Sequence, residues 1–204
     1  MKKNWEFQEC YKLSRSGEAQ ARQALEAYFH KPEKFMFDPS PQDRAFEHDF
    51  NVSVFGQIYK IEHKHRMKDY GDELLELISS TATGRRGWTF RAGEADFVLF
   101  TYAPTKRFTI WPGATLQSAF EENHADWSNA YGIKEAKNDG YVTINIPVPT
   151  KILKEALSRH GAPPCPHCGN NVGVFHEKCN CCGLLSCCAT GDGNWFCEEC
   201  ARWI

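Results

Sequence analysis

The sequence predicts a mixed α/β, or α+β, fold with a small separate module at its carboxyl end. Three observations carry this: one stretch of helical apolar spacing, a series of alternating strands that follows it, and cysteines gathered at the far end of the chain. Gly17 to Phe29 reads as a helix opened by Ser16, with Ala21, Leu25 and Tyr28 or Phe29 on one face. Pro32, Pro39 and Pro41 stop it. Alternation then predicts strands over Asp49 to Phe55 and Ile58 to His63, joined by Gly56-Gln57, the Gly-first form of a two-residue hairpin turn. Further strands are expected at Leu74 to Ile78, Phe97 to Tyr102, Phe108 to Trp111 and Tyr141 to Ile146. Helices are expected around Thr115 to Asn123 and over Thr150 to Ser158.

A chain of 204 residues, 42% hydrophobic and 25% charged, can bury a real core and has room for one ordinary domain plus a small one. No apolar run approaches the length of a membrane span, and the amino terminus lacks the apolar centre of a signal peptide, so an intracellular location without membrane partners is expected. A net charge of -2 excludes a uniformly basic coat; any nucleic-acid contact must come from local patches. There is no internal repeat and no low-complexity tract.

The cysteines set the domain boundary. Nine of the ten lie between Cys165 and Cys200, with Cys10 apart from them. His160-Gly161-Ala162-Pro163-Pro164 ends the last helical stretch before they begin, which divides the chain into modules of residues 1–160 and 161–204. Cys165-Pro-His-Cys168, Cys179-Asn-Cys181-Cys182 and Cys197-Glu-Glu-Cys200 are Cys-x2-Cys knuckles, whose thiolates suit zinc in a protein that is not exported. Disulfides are the alternative, and they belong to exported chains. With His167 or His176, nine cysteines suffice for two tetrahedral sites, and zinc would supply the folding energy that so short a segment lacks.

In the first module the chemistry gathers on the predicted hairpin. Strand alternation puts Glu62 and Lys64 on one face and Ile61 and His63 on the other. A Gly56-Gln57 turn sets Asp49 opposite Lys64 and diagonal to Glu62, close enough for one cation to bridge the two carboxylates. Phe50, Val52, Val54, Tyr59 and Ile61 form the core face; Asn51, Ser53 and Lys60 share the polar face, which an ordinary solvated strand would also show.

The succession Asp49, Glu62-His63-Lys64, Asp72-Glu73-Leu-Leu-Glu76, Gly87-Trp88, Glu94-Ala-Asp96-Phe97 and Tyr141-Val-Thr-Ile-Asn-Ile-Pro resembles the PD-(D/E)XK nuclease superfamily, most nearly its small phage and bacterial members. The resemblance covers roughly residues 15 to 150, about the length of one domain. His48 stands where the Pro of the family motif would precede Asp49. The resemblance implies a restriction-endonuclease-like mixed sheet flanked by helices and a divalent-metal-dependent endonuclease acting on DNA. It implies magnesium or manganese held by Asp49, Glu62 and the backbone carbonyl of His63, with Lys64 beside the attacking water. It further implies a carboxylate from the first helix, Glu18 by position or Glu26 in its place, and it keeps Glu76 as a reserve ligand. His63, His65, Arg66, Lys68, Arg85, Arg86 and Arg91 are candidates to hold the DNA backbone. Other functions compatible with the sequence are a catalytically silent nucleic-acid-binding member of that fold and a zinc-dependent adaptor for protein partners.

Asn194-Trp195-Phe196-Cys197-Glu-Glu-Cys200, and the spacing from Cys182 to Cys187, resemble a PHD-type cross-braced finger. That resemblance implies one zinc on Cys165, Cys168, Cys187 and Cys188 and another on Cys179, Cys182, Cys197 and Cys200. The adjacency of Cys187 and Cys188 departs from the pattern and leaves Cys181 over. A sequential arrangement with Cys165, Cys168, Cys179 and Cys182 on one zinc, as in a zinc ribbon, fits the same residues. The tail holds two bases, Lys178 and Arg202, against four acids, Glu177, Asp192, Glu198 and Glu199, which favours a role in folding, partner binding or substrate placement over a DNA clamp.

Overall fold

The computed structural model describes residues 17–29, 34–37, 49–54, 57–138 and 140–160, together with five short strands between Glu177 and Trp203. In chain order the elements are α1 (17–28), β1 (Lys34–Phe37), β2 (Phe50–Val54), β3 (Gln57–Arg66), β4 (Asp72–Ser80) and β5 (Arg85–Arg86). A 3-10 turn over Trp88–Glu94 leads to β6 (Phe97–Tyr102), β7 (Phe108–Pro112), α2 (Gly113–Tyr131), β8 (Lys134–Asn138), β9 (Tyr141–Pro149) and α3 (Thr150–Arg159). The tail strands are β10 (Glu177–Lys178), β11 (Leu185–Ser186), β12 (Cys188–Ala189), β13 (Trp195–Cys197) and β14 (Arg202–Trp203). The architecture is α/β with two larger sheets, and the chain divides into two compact units. One comprises residues 1–69 and 98–110, the other residues 70–97 and 111–204.

The first unit holds a five-stranded sheet in the order β1-β2-β3-β6-β7. β1, β2 and β3 run antiparallel, Val52 pairing with Phe35 on one side and Tyr59 on the other. β6 lies next to β3, and the Ala103 N–H donates to the Arg66 carbonyl at 2.9 Å, so the carboxyl ends of the two strands lie side by side. Two adjacent strands that end together run parallel, which makes this sheet mixed. All six residues of β6 are buried, as a central strand covered on both faces requires. The Tyr102 N–H donates to the Arg107 carbonyl, closing the turn into β7. α1 packs on this sheet through Ala21, Leu25, Tyr28 and Phe29, the spacing expected of one helical face, and Phe29 stacks on Tyr59.

The second unit has a four-stranded sheet, β5-β4-β9-β8. A single mixed sheet is therefore replaced by two, and β9 supplies the reason. Thr143 to Ile146 are buried on both faces of the strand, so β9 must be central, and it takes β4 and β8 as antiparallel partners. α2 presents Leu116, Ala119, Phe120 and Trp127 to this unit's core, and α3 presents Leu153, Ala156 and Leu157. α2 runs further than Thr115 to Asn123, because Phe120, His124 and Trp127 continue the same aromatic row. Its first residue has no room for a side chain: a Cβ on Gly113 would stand 2.1 Å from the Ala95 carbonyl oxygen and 2.2 Å from that of Ala92. Backbone cannot give way as a side chain can, so Gly113→Ala is expected to destabilise the protein by about 3 kcal/mol or more. A denaturation midpoint equal to that of the parent would show that the turn before α2 opens freely.

In the tail β10 pairs with β11, and β12, β13 and β14 form a small antiparallel sheet, Cys188 lying opposite Phe196. The side chains of Cys165, Cys168, Cys179, Cys181, Cys182, Cys187, Cys188, Cys197 and Cys200 lie outside the described residues, as do Gly161 to Pro164 and Cys10. Among the described residues, no helix is long and apolar enough to cross a membrane.

Candidate active site on the β2–β3 hairpin

The hairpin forms, but its register differs from the expected one. Gln57 lies within the ladder opposite Val54, and Phe50 pairs with Ile61. The shift of two leaves every side chain on its expected face, which is why apolar patterning could not choose between the registers. Phe50, Val52 and Ile61 are buried as expected, and Ile58 on the other face is 55% exposed. What changes is the partner of Asp49. Continued by one residue, the observed register sets Asp49 beside Glu62 rather than opposite Lys64.

Two hydrogen bonds tie Asp49 to this end of the hairpin. Its N–H donates to the Ile61 carbonyl at 2.9 Å, and its Oδ2 accepts the His63 N–H at 2.7 Å. The carboxylate thus sits at the peptide that joins Glu62 to His63. Lys64 Nζ donates to Glu62 Oε1, and both side chains keep contact with solvent, 30% exposed for Lys64 and 14% for Glu62. Asp49, Glu62 and Lys64 are brought together on one face. Two carboxylates suit a hard cation such as magnesium, which takes one or two carboxylates and keeps several waters. Among the described residues there is no group of three or more His, Cys, Asp or Glu side chains placed to hold a metal.

Glu18 and Glu26 belong to α1, which covers the opposite face of the sheet. Phe29 stacks on Tyr59, and a Cβ on Gly17 would stand 2.6 Å from Cγ of His65; both partners alternate away from Glu62 and Lys64. The structure therefore does not bring the α1 carboxylates onto the face of Asp49 and Glu62. Glu76 belongs to the second unit, where its Oε1 accepts the Trp88 N–H at 3.1 Å and fixes the turn after β5.

The His63 and His65 rings are turned away from Glu62 and Lys64. They point to the covered face, where His63 Nε2 and His65 Nδ1 each lie 2.8 Å from the Thr101 hydroxyl on β6. Burial first, then the neighbouring His65 and Lys64, pushes His63 down to about 3, and burial lowers His65 as well. Two neutral rings share the hydroxyl, one donating and one accepting. Thr101 thereby pins the residues that flank Glu62 and Lys64. Sequence reasoning passed over it, although a threonine among the apolar and aromatic residues of Phe97 to Tyr102 was the available signal.

This burial gives a pH dependence with a definite sign. Above about 6.5, the ordinary histidine value, neither the native nor the unfolded chain protonates residue 63. Between there and about 3 the unfolded chain binds a proton that the native protein refuses, so stability is lost as pH falls. Unfolding free energy in metal-free buffer is expected to drop by about 1.4 kcal/mol per pH unit from this residue below pH 6. His65 acts in the same direction. His63→Gln, which can still meet Thr101, is expected to flatten the profile by one proton; an unchanged slope between pH 7 and 5 would place the titration elsewhere.

Of the other basic candidates, Arg66 and Lys68 lie at and just beyond the end of β3. Arg85, Arg86 and Arg91 belong to the second unit, where the Arg86 guanidinium covers the Phe90 ring at 4.8 Å and Arg91 lies 3.8 Å from Glu94. Comparison with protein-family models, with curated proteins and with solved structures finds no match to this chain.

Proposed function

We propose that this chain is a divalent-metal-dependent endonuclease that hydrolyses phosphodiester bonds in DNA, with a zinc module at its carboxyl end for folding, for a protein partner or for placing the substrate. The observation that carries the reading is the trio on the β2–β3 hairpin: Asp49 beside Glu62, with Lys64 two residues on and in contact with Glu62. Its support in the fold is the order of the first unit, a helix, then three antiparallel strands, then β6 parallel to β3, which is compatible with a restriction-endonuclease-like core.

A bound magnesium or manganese ion would supply Lewis acidity and an activated water. Asp49 and Glu62 would hold it, with the His63 carbonyl as a third oxygen. The Lys64 ammonium, already on the Glu62 carboxylate, would orient the water and offset charge growing on the phosphate. The His63 and His65 contacts to Thr101 fix the backbone from which Glu62 and Lys64 project, so the trio needs little rearrangement. Glu18, carried by α1 on the opposite face of the sheet, takes no part in this arrangement.

The test is to incubate the purified protein with labelled linear, branched and single-stranded DNA, and with RNA, in magnesium or manganese and then with chelator. Cutting of DNA that stops on chelation is expected. Binding without cutting under all conditions would favour the catalytically silent reading, and neither binding nor cutting would favour an adaptor.

A further inference from the structure

The turn between β6 and β7 carries more organisation than a surface connection requires. Asp69, just after β3, receives both arms of Arg107, Nε to Oδ2 at 2.9 Å and Nη2 to Oδ1 at 2.8 Å, and its Oδ2 also accepts the Thr105 hydroxyl at 2.7 Å. The Arg107 guanidinium lies flat on the Tyr102 ring, 3.8 Å from its centre. Thr105 and Arg107 are thus both clamped, and the residue between them is Lys106. It is exposed and has φ of 53°, the sole non-glycine residue with positive φ among those described. A lysine held in this left-handed region costs on the order of 1 kcal/mol, and such strain persists only where the surroundings over-determine it. A glycine or asparagine would serve a purely structural turn better.

The charges here do not cancel. Asp69 is occupied by Arg107 and Thr105, and Glu62 by Lys64. Lys68 and Lys106 are both exposed and have no carboxylate partner among the described residues. Arg66 stands beside them, its guanidinium 5.8 Å from the Tyr102 ring. Arg66 and Lys68 lie two and four residues beyond Lys64 along β3 and its extension, and Lys106 lies four residues beyond the end of β6.

We propose that the β6–β7 turn is a preset phosphate clamp, in which Lys106 and Lys68 grip the sugar-phosphate backbone of a nucleic acid beyond the carboxyl end of the strand that carries Glu62 and Lys64. This rests on the nuclease reading for the identity of the ligand, and it adds the contact surface that reading lacks. The rigid Asp69–Arg107–Thr105 frame fixes the Lys106 backbone before the ligand arrives, so less ordering entropy is lost on binding. Backbone gripping is sequence-independent and strongly salt-dependent, because each neutralised phosphate releases counterions.

The experiment measures binding of a fluorescent DNA duplex by anisotropy across a salt series, with chelator present so that no cleavage intervenes. Lys68→Ala/Lys106→Gly is the principal variant, since glycine removes the charge while relieving the backbone strain and the fold is therefore kept. Its affinity is expected to fall by roughly tenfold per lost contact at 0.1 M salt, and the slope of log affinity against log salt to decrease by about 2 in magnitude. Lys106→Arg is expected to retain most of the affinity. If the parent binds duplex and the double variant binds it with the same affinity and slope, the clamp is overturned while the nuclease reading stands. A parent that cuts no DNA or RNA in magnesium yet shows the lysine-dependent salt slope overturns the nuclease reading and keeps the clamp.

Discussion

Asp49→Asn, Glu62→Gln and Lys64→Ala are each expected to lower magnesium-dependent DNA cleavage a hundredfold or more, on the order of what a transition-state contact supplies, without unfolding the protein. The amide at 49 separates chemistry from folding. It keeps an oxygen that can accept the His63 N–H, now held at 2.7 Å by the carboxylate, while removing the negative charge a hard cation requires. Asp49→Ala would also leave that N–H without its acceptor, at about 1–3 kcal/mol where it is buried, so a loss of activity in the alanine protein alone would be ambiguous. Lys64 is already paired with Glu62, so Glu62→Gln weakens both the metal site and the placement of the ammonium, and should be the most damaging of the three. Glu18→Ala should cost far less, since α1 packs on the opposite face of the sheet. Undiminished cleavage by the Asp49 or Glu62 variants would remove the site, whatever the fate of the fold.

Period-two alternation along Phe50 to Val54 and Gln57 to Arg66 was enough to place Asp49, Glu62 and Lys64 on a common face, because any register that keeps Phe50, Val52 and Ile61 buried gives the same answer. It could not say whether Asp49 meets Glu62 or Lys64, since that depends on which two residues turn the chain. Helical spacing likewise revealed α1, α2 and α3, each of which buries a single stripe. The separation into two sheets was not legible, because it follows from β9 being covered on both faces, and Tyr141 to Pro149 reads locally like any other strand. Short edge strands such as Lys34–Phe37 and Arg85–Arg86 carry too few residues to show a period. Long-range side-chain meetings were the least visible. Thr101 lies 36 and 38 residues from the two histidines it joins, and Arg107 lies 38 from Asp69, so no local pattern announces them.

Stripping zinc is expected to unfold the segment after Gly161 while leaving the sheets and helices of residues 17–160 intact. The segment holds nine cysteines, six of them in three knuckles of Cys-x2-Cys spacing, and too few residues for a core of its own, since chains of about forty residues rarely bury enough apolar surface to fold without a metal or disulfides. Thiolate-bound zinc supplies on the order of 10 kcal/mol or more in such modules, far beyond what the strand pairs of two or three residues in this tail could contribute. The two proposed metal sites should also part by chemistry. Soft thiolates select zinc, and the Asp49 and Glu62 oxygens select hard cations, so the protein as purified should carry about two zinc ions per chain even in magnesium-free buffer. Proteolysis after chelation should then clip the tail and spare the first 160 residues, whose buried stripes on α1, α2 and α3 do not depend on it. Elemental analysis that found no zinc, or a mass spectrum with these cysteines joined as disulfides, would overturn the metal reading. A single zinc per chain would keep a metal-bound tail but remove the cross-braced pairing of Cys165, Cys168, Cys187 and Cys188 on one ion with Cys179, Cys182, Cys197 and Cys200 on the other.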